Sequence, residues 1–510
     1  MSAHLRPEGG LDPDGEQLPD TDLVQERGLH IWAPGAAEGA SARHAGSDQE
    51  KDRAVTEEIH AALLRLVDGP RQDADRSSLR RLFIEASPRW VVDHVIDLLR
   101  GQPSTHTDRL GEELRWFLLH GEHRNEVKFS IALLALLRDP ADLERFRLIG
   151  QHEEFTLYAA IALAAVTTDP VAEWIALARL VTGWGKVELI DLLMRTNDPR
   201  ACHFALREPD CGPSLTSYVA LKVARHCRLE HELNQLFPDP ELLDGAAMLL
   251  GTLAQGDIDG GPAGGLLEYP EGPAAVRSFL ELMASRATRL EDFLVVHDLW
   301  RFAAADWSDE ELAHGGWHRH SLARILEACE EIERRPEWPS MAEAALAVAD
   351  PAERNRGFQV AKHLGMPIRE YVVERLRQDP LDGSMWFELV FQQDESHMDQ
   401  AVALAQELLD LDLLASGPSD ELGLGPGFEL HRCIDFILQD LARFPGKGWP
   451  VIRVALRSPV IRNRMMTLRA LEGWPSEKTA GDVTEAIRGR VADPVDSVSQ
   501  KARELLATHG

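Results

Sequence analysis

Residues 139–199 read DPADLERFRLIGQHEEFTLYAAIALAAVTTDPVAEWIALARLVTGWGKVELIDLLMRTNDP. An Asp-Pro pair begins at positions 139, 169 and 198 of this stretch, at intervals of 30 and 29 residues. Aspartate accepts a hydrogen bond from an unpaired amide of the first helical turn, and proline fits the first helical position, so each pair predicts a helix start. Two short helical patterns separated by a break lie between consecutive pairs. The recurrence predicts a helical-repeat protein.

The residues after the second pair show the pattern of such a repeat. Apolar side chains follow at intervals of three, four and three residues: Val171, Trp174, Ala178 and Val181. This spacing places them on one face of a helix. Gly183-Trp184-Gly185 then predicts a break, and a second helical pattern follows. One helix pair cannot bury its apolar face alone, so we expect an all-α solenoid of stacked antiparallel helix pairs.

The same signals recur along the chain and define its expected organisation. Asp350-Pro351 and Asp379-Pro380 repeat the 29-residue interval, and residues 255–275 form the densest glycine and proline break. Residues 1–50 carry ten acidic and three basic side chains without a hydrophobic period, a composition typical of disorder. We expect four segments, which are a disordered acidic tail at 1–53, a helical-repeat half at 54–254, a loop or hinge at 255–275, and a second helical-repeat half at 276–510.

One apolar cluster, Leu29-His30-Ile31-Trp32, interrupts the expected acidic tail. Such a cluster is compatible with a short docking motif, but the sequence favours a stray apolar segment.

Composition restricts the compartment and the partners. The formal net charge of the 510 residues is −30, which repels phosphate and disfavours nucleic acid. A protein partner with a basic face fits this charge better. No leader with a basic and then an apolar part begins the sequence, and no run of about 18 apolar residues predicts a membrane span. Five cysteines without a Cys-x-x-Cys motif favour a reducing compartment, so we expect a cytoplasmic protein.

Motifs for catalysis and cofactor binding are incomplete. Gly185-Lys186 and Gly446-Lys447 lack the Ser or Thr that follows in a phosphate loop, and Gly423-Leu424-Gly425 lacks the last glycine of a dinucleotide fingerprint. The sequence contains neither Gly-x-Ser-x-Gly nor His-Glu-x-x-His. We therefore expect no cofactor, and no catalytic residue is identified.

One group of side chains suggests a binding site. Imidazoles at His314 and His318 would share a helix face and could hold zinc or iron, but Gly315-Gly316 favours a surface turn, so no metal is expected. Tryptophan, histidine and arginine side chains are typical of binding surfaces, although in a repeat protein they also serve as core or turn anchors. The candidate binding residues are Trp184, His297, Trp300, Arg301 and Trp317.

The segment that begins at Ser458 resembles a HEAT-type repeat. It reads Ser458-Pro-Val-Ile-Arg-Asn-Arg-Met-Met-Thr-Leu-Arg-Ala-Leu, with a capped start, an early arginine and a helix of small and apolar residues. The 29–30 residue period resembles the short HEAT-like variety, and this resemblance implies an α-solenoid over about 55–510. Thr182-Gly-Trp-Gly-Lys186 together with 449–474 is similar to a group of bacterial proteins labelled limonene hydroxylase, which implies terpene oxidation.

These observations favour a non-catalytic scaffold that binds a protein partner on the concave face of the array. The alternative is an oxidoreductase acting on a small apolar, terpene-like substrate, as the resemblance to limonene hydroxylases implies. A third class, DNA repair, is represented among HEAT-like proteins by alkylpurine glycosylases. The sequence lacks the basic stripe that this class requires.

Overall fold

The computed structural model describes residues 2–7, 9–21, 33–44, 46, 48–69, 73–101, 106–235, 237–262, 264–391, 395–425, 427–479 and 481–509. Its regular structure is helical, and within these ranges no β-strand occurs apart from two isolated bridges, Leu5 with Leu11 and Glu421 with Val460. The prediction of an all-α, solenoid-like fold is confirmed. The chain divides into two compact units, Met1–Trp338 and Pro339–Gly510.

The first unit contains the α-helices α1 (Ala36–His44), α2 (Gln49–Asp68), α3 (Asp73–Glu85), α4 (Pro88–Gly101), α5 (Thr107–His120), α6 (Arg124–Leu137), α7 (Leu143–Ile149), α8 (Thr156–Val166), α9 (Pro170–Ala178), α10 (Gly183–Leu193), α11 (Pro199–Arg207), α12 (Ala220–His226), α13 (Leu229–Leu233), α14 (Pro240–Asp259), α15 (Gly272–Arg286), α16 (Leu290–Ala304), α17 (Asp309–His314) and α18 (Arg319–Glu333). Short 3₁₀ helices lie at Ser2–His4, Pro140–Asp142, Thr216–Tyr218 and Leu266–Glu268.

The second unit contains α19 (Trp338–Leu346, which begins at the boundary), α20 (Pro351–His363), α21 (Arg369–Gln378), α22 (Gly383–Val390), α23 (Glu395–Leu408), α24 (Leu411–Leu414), α25 (Glu429–Asp440), α26 (Trp449–Ala455), α27 (Ile461–Glu472), α28 (Ser476–Thr479), α29 (Asp482–Arg488) and α30 (Asp496–His509), with a 3₁₀ helix at Leu441–Arg443. Its core includes Trp386, Leu468 and Ile437, which are completely or almost completely buried.

Aspartate caps start the helices where the sequence predicted them. The Asp169 carboxylate accepts a hydrogen bond from the Ala172 amide at 3.2 Å, and Pro170 follows it at the first position of α9. Asp198 and Asp350 cap α11 and α20 in the same manner. Asp239 adds a further Asp-Pro start, at α14. The local signal therefore encodes helix starts directly.

One of the Asp-Pro pairs has a different role. Asp379-Pro380 follows the end of α21, and α22 begins at Gly383. The Asp379 carboxylate accepts a hydrogen bond from the Leu381 amide, whereas Asp382 accepts one from the Met385 amide and caps the helix. Two aspartates compete for one start, and the one nearer the apolar helix provides the cap.

Helices stack in successive rows. In the first unit α2, α4, α6, α8 and α10 pack each against the next, and in the second unit α22, α25, α27 and α30 do so. Arginine–carboxylate pairs join consecutive repeats of the first unit along its other row of helices, with distances of 2.5–2.7 Å: Arg115–Asp142, Arg147–Glu173, Arg179–Glu208 and Arg207–Asp239. Each pair spans about one repeat, so neighbouring repeats share both an apolar core and a charged contact.

The described residues of the expected disordered tail are folded onto this stack. They include α1, and two of their carboxylates are buried, Asp20 at 0% exposure and Glu38 at 3%. Asp20 accepts hydrogen bonds from the backbone amide and the guanidinium of Arg124, at the amino-terminal end of α6. A helix amino terminus favours a negative charge. Acidic side chains of this segment therefore bind it to the helical stack, whereas we expected the segment to be disordered. The Leu29–Trp32 cluster lies outside the described residues.

The loop at 255–275 also differs from a flexible hinge between two halves. Helix α14 continues through Asp259, and Leu266 and Tyr269 are buried, so the segment belongs to the core of the first unit. The boundary between the units lies instead at 338/339. Packing of these two apolar side chains against distant parts of the chain holds the segment in place despite its many glycines.

Two of the cysteines are paired. Cys202 in α11 and Cys227 at the end of α12 form a disulfide, with Cα atoms 5.1 Å apart, whereas Cys211, Cys329 and Cys433 are free and buried. The spacing of the cysteines gave no sign of this pair, because it joins helices 25 residues apart in sequence. A disulfide is uncommon in a reducing compartment, so this pair counts against the compartment that we inferred from the cysteines. Among the helices of the described ranges, none has the length and apolar character needed to cross a membrane.

Candidate functional site

The first unit contains a cavity of about 1870 Å³ along the amino-terminal ends of four stacked helices. These are α4, α6, α8 and α10, and the 3₁₀ helix Thr216–Tyr218 and the end of α14 complete the wall. The opposite side is formed by α1, which contributes Ala36, Ala37, Glu38 and Ala40. The folded N-terminal segment thus forms one wall of the cavity.

Charge is distributed unequally over the lining. Its exposed charged side chains are carboxylates: Glu85, Glu122, Asp210 and Asp259. The cations of the lining are partly or fully buried and are paired: Arg80 with Glu126 at 2.7 Å, Arg124 with Asp20 at 3.0 Å, and Lys128 with Glu38 at 2.7 Å. Two of the four carboxylates also have cationic partners, Glu122 with Arg80 at 3.2 Å and Asp259 with Arg301 at 3.1 Å. The described rim of the cavity therefore presents more negative than positive charge to solvent.

A buried ionic cluster joins α1 to the helices below it. Lys128, in the first turns of α6, has a side chain only 2% exposed, and its Nζ donates to Glu38 Oε1 at 2.7 Å and Glu154 Oε1 at 2.6 Å. The Tyr158 hydroxyl donates to Glu38 at 3.2 Å. An ammonium in this position would be destabilising without both carboxylates. When α1 is docked, its Glu38 therefore supplies the second carboxylate that pairs with Lys128 of α6.

The two carboxylates of this cluster titrate in opposite directions. Burial raises the pKa of Glu38, and Lys128 only partly offsets it. Burial also raises the pKa of Glu154, but Lys128 and Arg124 lower it by more, so that it lies below its usual value. Burial lowers the pKa of Lys128, and the two carboxylates raise it above its usual value. The two carboxyls that share one ammonium thus differ in pKa, and Glu38 protonates before Glu154 as the pH falls.

Arg43, near the end of α1, occupies a second charged site. Its guanidinium lies 5.7 Å from the ring centroid of Trp184 and 5.8 Å from that of Tyr218. Nη1 donates to Glu188 at 2.8 Å and Nη2 to Asp191 at 2.5 Å. Trp184 and Tyr218 also line the cavity, with ring centroids 4.7 Å apart. The aromatic pair therefore borders both the cavity and the guanidinium.

The structure places one of the sequence-predicted binding residues in the lining of this site, connects a second to its rim, and leaves the other three outside the lining. Trp184 lines the cavity. Arg301 in α16 donates to the rim residue Asp259 at 3.1 Å. His297 stacks on Trp300, with ring centroids 5.4 Å apart, and its Nδ1 lies 2.9 Å from Glu333 Oε1.

Trp317, the remaining candidate, is a core residue. It is 1% exposed, and its indole N–H donates to the Leu266 carbonyl at 2.9 Å. Helix α17 ends at His314 and α18 begins at Arg319, so these two imidazole positions, 314 and 318, do not share one helix; the side chain of His314 lies outside the described residues. Over the ranges that the structure describes, no group of three or more His, Cys, Asp or Glu is arranged to hold a metal ion.

Sequence reasoning missed Glu38, Arg43, Lys128 and Glu154. A signal was present in the lysine itself, because Lys128 interrupts an otherwise apolar helix and such a charge needs a partner. The alanine-rich segment 36–44 also has helix-forming character. In comparisons with known proteins, no protein-family model matches this chain, and no curated protein shows a significant match to it.

Proposed function

We propose that this protein is a non-catalytic, HEAT-like scaffold, and that the cavity of its first unit binds a basic segment of a protein partner. The observation that carries this proposal is the rim, where Glu85, Glu122, Asp210 and Asp259 are exposed while the cations of the lining are paired and less exposed. Converging carboxylates attract and orient a cationic surface.

The size of the cavity supports a peptide as the bound group. Pockets for small molecules have volumes of about 300–1,000 Å³. The cavity of about 1870 Å³ exceeds this range, and aromatic side chains at Trp184 and Tyr218 provide apolar surface beside the charged rim. Aromatic anchors surrounded by a polar rim are typical of protein interfaces.

The alternative function is oxidation of a small apolar substrate, which the resemblance to limonene hydroxylases implies. Oxygen activation requires a metal, haem or flavin. This alternative predicts that protein purified from its native cells shows a haem or flavin absorption band or contains a stoichiometric transition metal. Absorption spectroscopy and metal analysis of that preparation distinguish it from the scaffold.

Charge neutralisation at the rim tests the scaffold proposal. The test variant carries Glu85→Gln, Glu122→Gln and Asp210→Asn. The control variant carries Glu58→Gln, Glu327→Gln and Glu331→Gln, at exposed positions of the first unit outside the cavity lining. Both variants lose three negative charges, so any difference between them arises from position.

Each variant is used to capture partners from native cytoplasm, and the proteins retained are identified and quantified by mass spectrometry. We expect the control to retain a basic partner that the rim variant loses. If both variants retain the same proteins in the same amounts, the cavity is not the binding surface.

A further inference from the structure

The contacts of Arg43 have the form of a recognition site for an arginine side chain. Glu188 and Asp191 in α10 accept its two Nη groups, and their side chains are only 10% and 8% exposed. Trp184 and Tyr218 contact the guanidinium through their rings. Arginine binds carboxylates through a planar fork and stacks on aromatic rings, which an ammonium cannot reproduce. This set of groups therefore fits a guanidinium, and Asp191 in addition accepts a hydrogen bond from the Lys222 ammonium.

The helix that carries Arg43 has little apolar surface to hold it in place. Among the described side chains of α1, Ala36 is the one apolar group that is buried. Its other contacts are the polar ones of Arg43 and Glu38 and the close approach of Gly39 to the Trp184 ring. Since apolar burial is the main source of packing energy, α1 depends on these charged contacts, and displacing it separates Glu38 from Lys128 as well as Arg43 from its carboxylates. A ligand with the same chemistry can compete for its site.

A glycine determines whether α1 can lie here. A Cβ atom at Gly39 would lie 2.0 Å from Cε3 of Trp184, well inside van der Waals contact. The helix approaches the indole closely only because residue 39 has no side chain. Substitution at this position therefore provides a way to undock α1 without changing any group of the arginine site.

We propose that Trp184, Tyr218, Glu188 and Asp191 form an arginine-binding site, that the chain's own Arg43 occupies it, and that an arginine of the partner's basic segment displaces α1 to bind there. This inference rests on the proposed function and names the chemistry that the cavity recognises. The aromatic pair lines the cavity whereas Glu188 and Asp191 do not, so an arginine of a bound segment reaches the two carboxylates only when Arg43 vacates them. The exposed carboxylates of the rim attract the segment before the exchange occurs.

The test measures binding of two peptides, acetyl-Gly-Gly-Arg-Gly-Gly-amide and its lysine counterpart, to the full chain by saturation-transfer NMR titration. Two variants vacate the site independently, Arg43→Ala by removing the occupant and Gly39→Val by blocking α1 at Trp184. If Arg43 occupies the site for about 90% of the time, each variant binds the arginine peptide about tenfold more tightly than the unmodified chain. The lysine peptide should gain far less.

The site itself is tested in the Arg43→Ala background. Adding Glu188→Gln should abolish the gain, whereas adding Glu327→Gln, on the surface of α18, should leave it unchanged. Circular dichroism verifies that each variant keeps its helical content. In the unmodified chain, saturating arginine peptide should speed amide exchange in residues 36–44.

Several results would overturn the inference: no gain in either vacating variant, equal gains for both peptides, or a gain that survives Glu188→Gln. These results are distinct from a failure of the proposed function. Loss of the partner from the rim variant combined with no arginine selectivity would retain the scaffold and remove the arginine site. Selective binding of the arginine peptide, combined with equal capture by the rim and control variants, would support the arginine site and contradict the proposal that the rim binds the partner.

Discussion

Substitution of Lys128 by methionine tests the ionic cluster beneath α1. Methionine retains most of the side-chain volume but removes the ammonium that Glu38 and Glu154 share. Both carboxylates are about 3% exposed, so they cannot regain hydration without local opening. Removing one partner of a buried ion pair costs about 3–5 kcal/mol. We expect a loss in that range, with Glu154 partly compensated by Arg124 at 3.4 Å.

The loss should depend on pH. The pKa of Glu38 is already raised by burial, and removal of the ammonium raises it further. A carboxyl with a raised folded-state pKa contributes stability that is fully present below its unfolded pKa and is lost as the pH rises through the folded pKa. The difference in stability between the variant and the unmodified protein should therefore be smallest at about pH 5 and largest at about pH 8.

Amide hydrogen exchange in α6 is the appropriate measurement, because it reports the opening of this helix and does not require the two units to unfold together. A loss of about 3–5 kcal/mol corresponds to exchange faster by roughly a hundredfold or more. Lys222→Met is the matched control, since its ammonium is half exposed and Asp191, which is 8% exposed, keeps its pair with Arg43. It should cost less than about 1 kcal/mol. Equal effects of the two variants, or a Lys128 effect independent of pH, would refute the reasoning.

Four further predictions follow from other features. Asp169→Ala should destabilise α9 by about 1 kcal/mol in amide exchange, and Asp169→Asn by much less, because asparagine also caps and the exposed pair with Arg200 contributes little. Alkylation and mass spectrometry under non-reducing conditions should find Cys202 linked to Cys227, and reduction should lower the melting temperature of the first unit. Burial raises the pKa of Asp298 to about 6, so its ionisation costs stability as the pH rises through that value, and Asp298→Asn should stabilise the protein at about pH 8 but not at about pH 4 in urea denaturation. Stopped-flow association with the identified basic partner should slow several-fold between about 50 and 500 mM salt, with a smaller change in dissociation; a flat rate would limit the charge to a role in solubility.

The helix starts could be predicted because their physics is local. Asp169 bonds an amide three residues away, so its role is visible in a short window of sequence. The same window failed at Asp379-Pro380, because Asp382 is a competing cap at the next helix and only the packing of α22 decides between them. The repeats and the starts of their helices could thus be predicted, except where two neighbouring aspartates are alternative caps for one helix.

Most of the candidate site could not be predicted, because its contacts connect distant parts of the chain. Glu38 and Lys128 are 90 residues apart, and Arg43 and Asp191 are 148 residues apart. From composition alone, we inferred that the acidic residues of the N-terminal segment are exposed to solvent. Their burial depends on cations and helix ends that only the folded stack supplies. Trp184 was identified because the flanking glycines mark it locally.

The docking of α1 also constrains the order of events on the ribosome. Arg43 emerges long before Tyr218, the last-made residue of its site, which follows about 175 positions later; at about 5–20 residues per second this interval is roughly 10–35 seconds. The helix pairs need only near neighbours and can assemble as they are synthesised. The N-terminal segment must wait, and its scarcity of large apolar side chains in α1 makes it a poor target for aggregation during that time. Nascent chains halted before Lys128 should therefore carry an undocked α1, because the partners of both Glu38 and Arg43 follow that point in the chain.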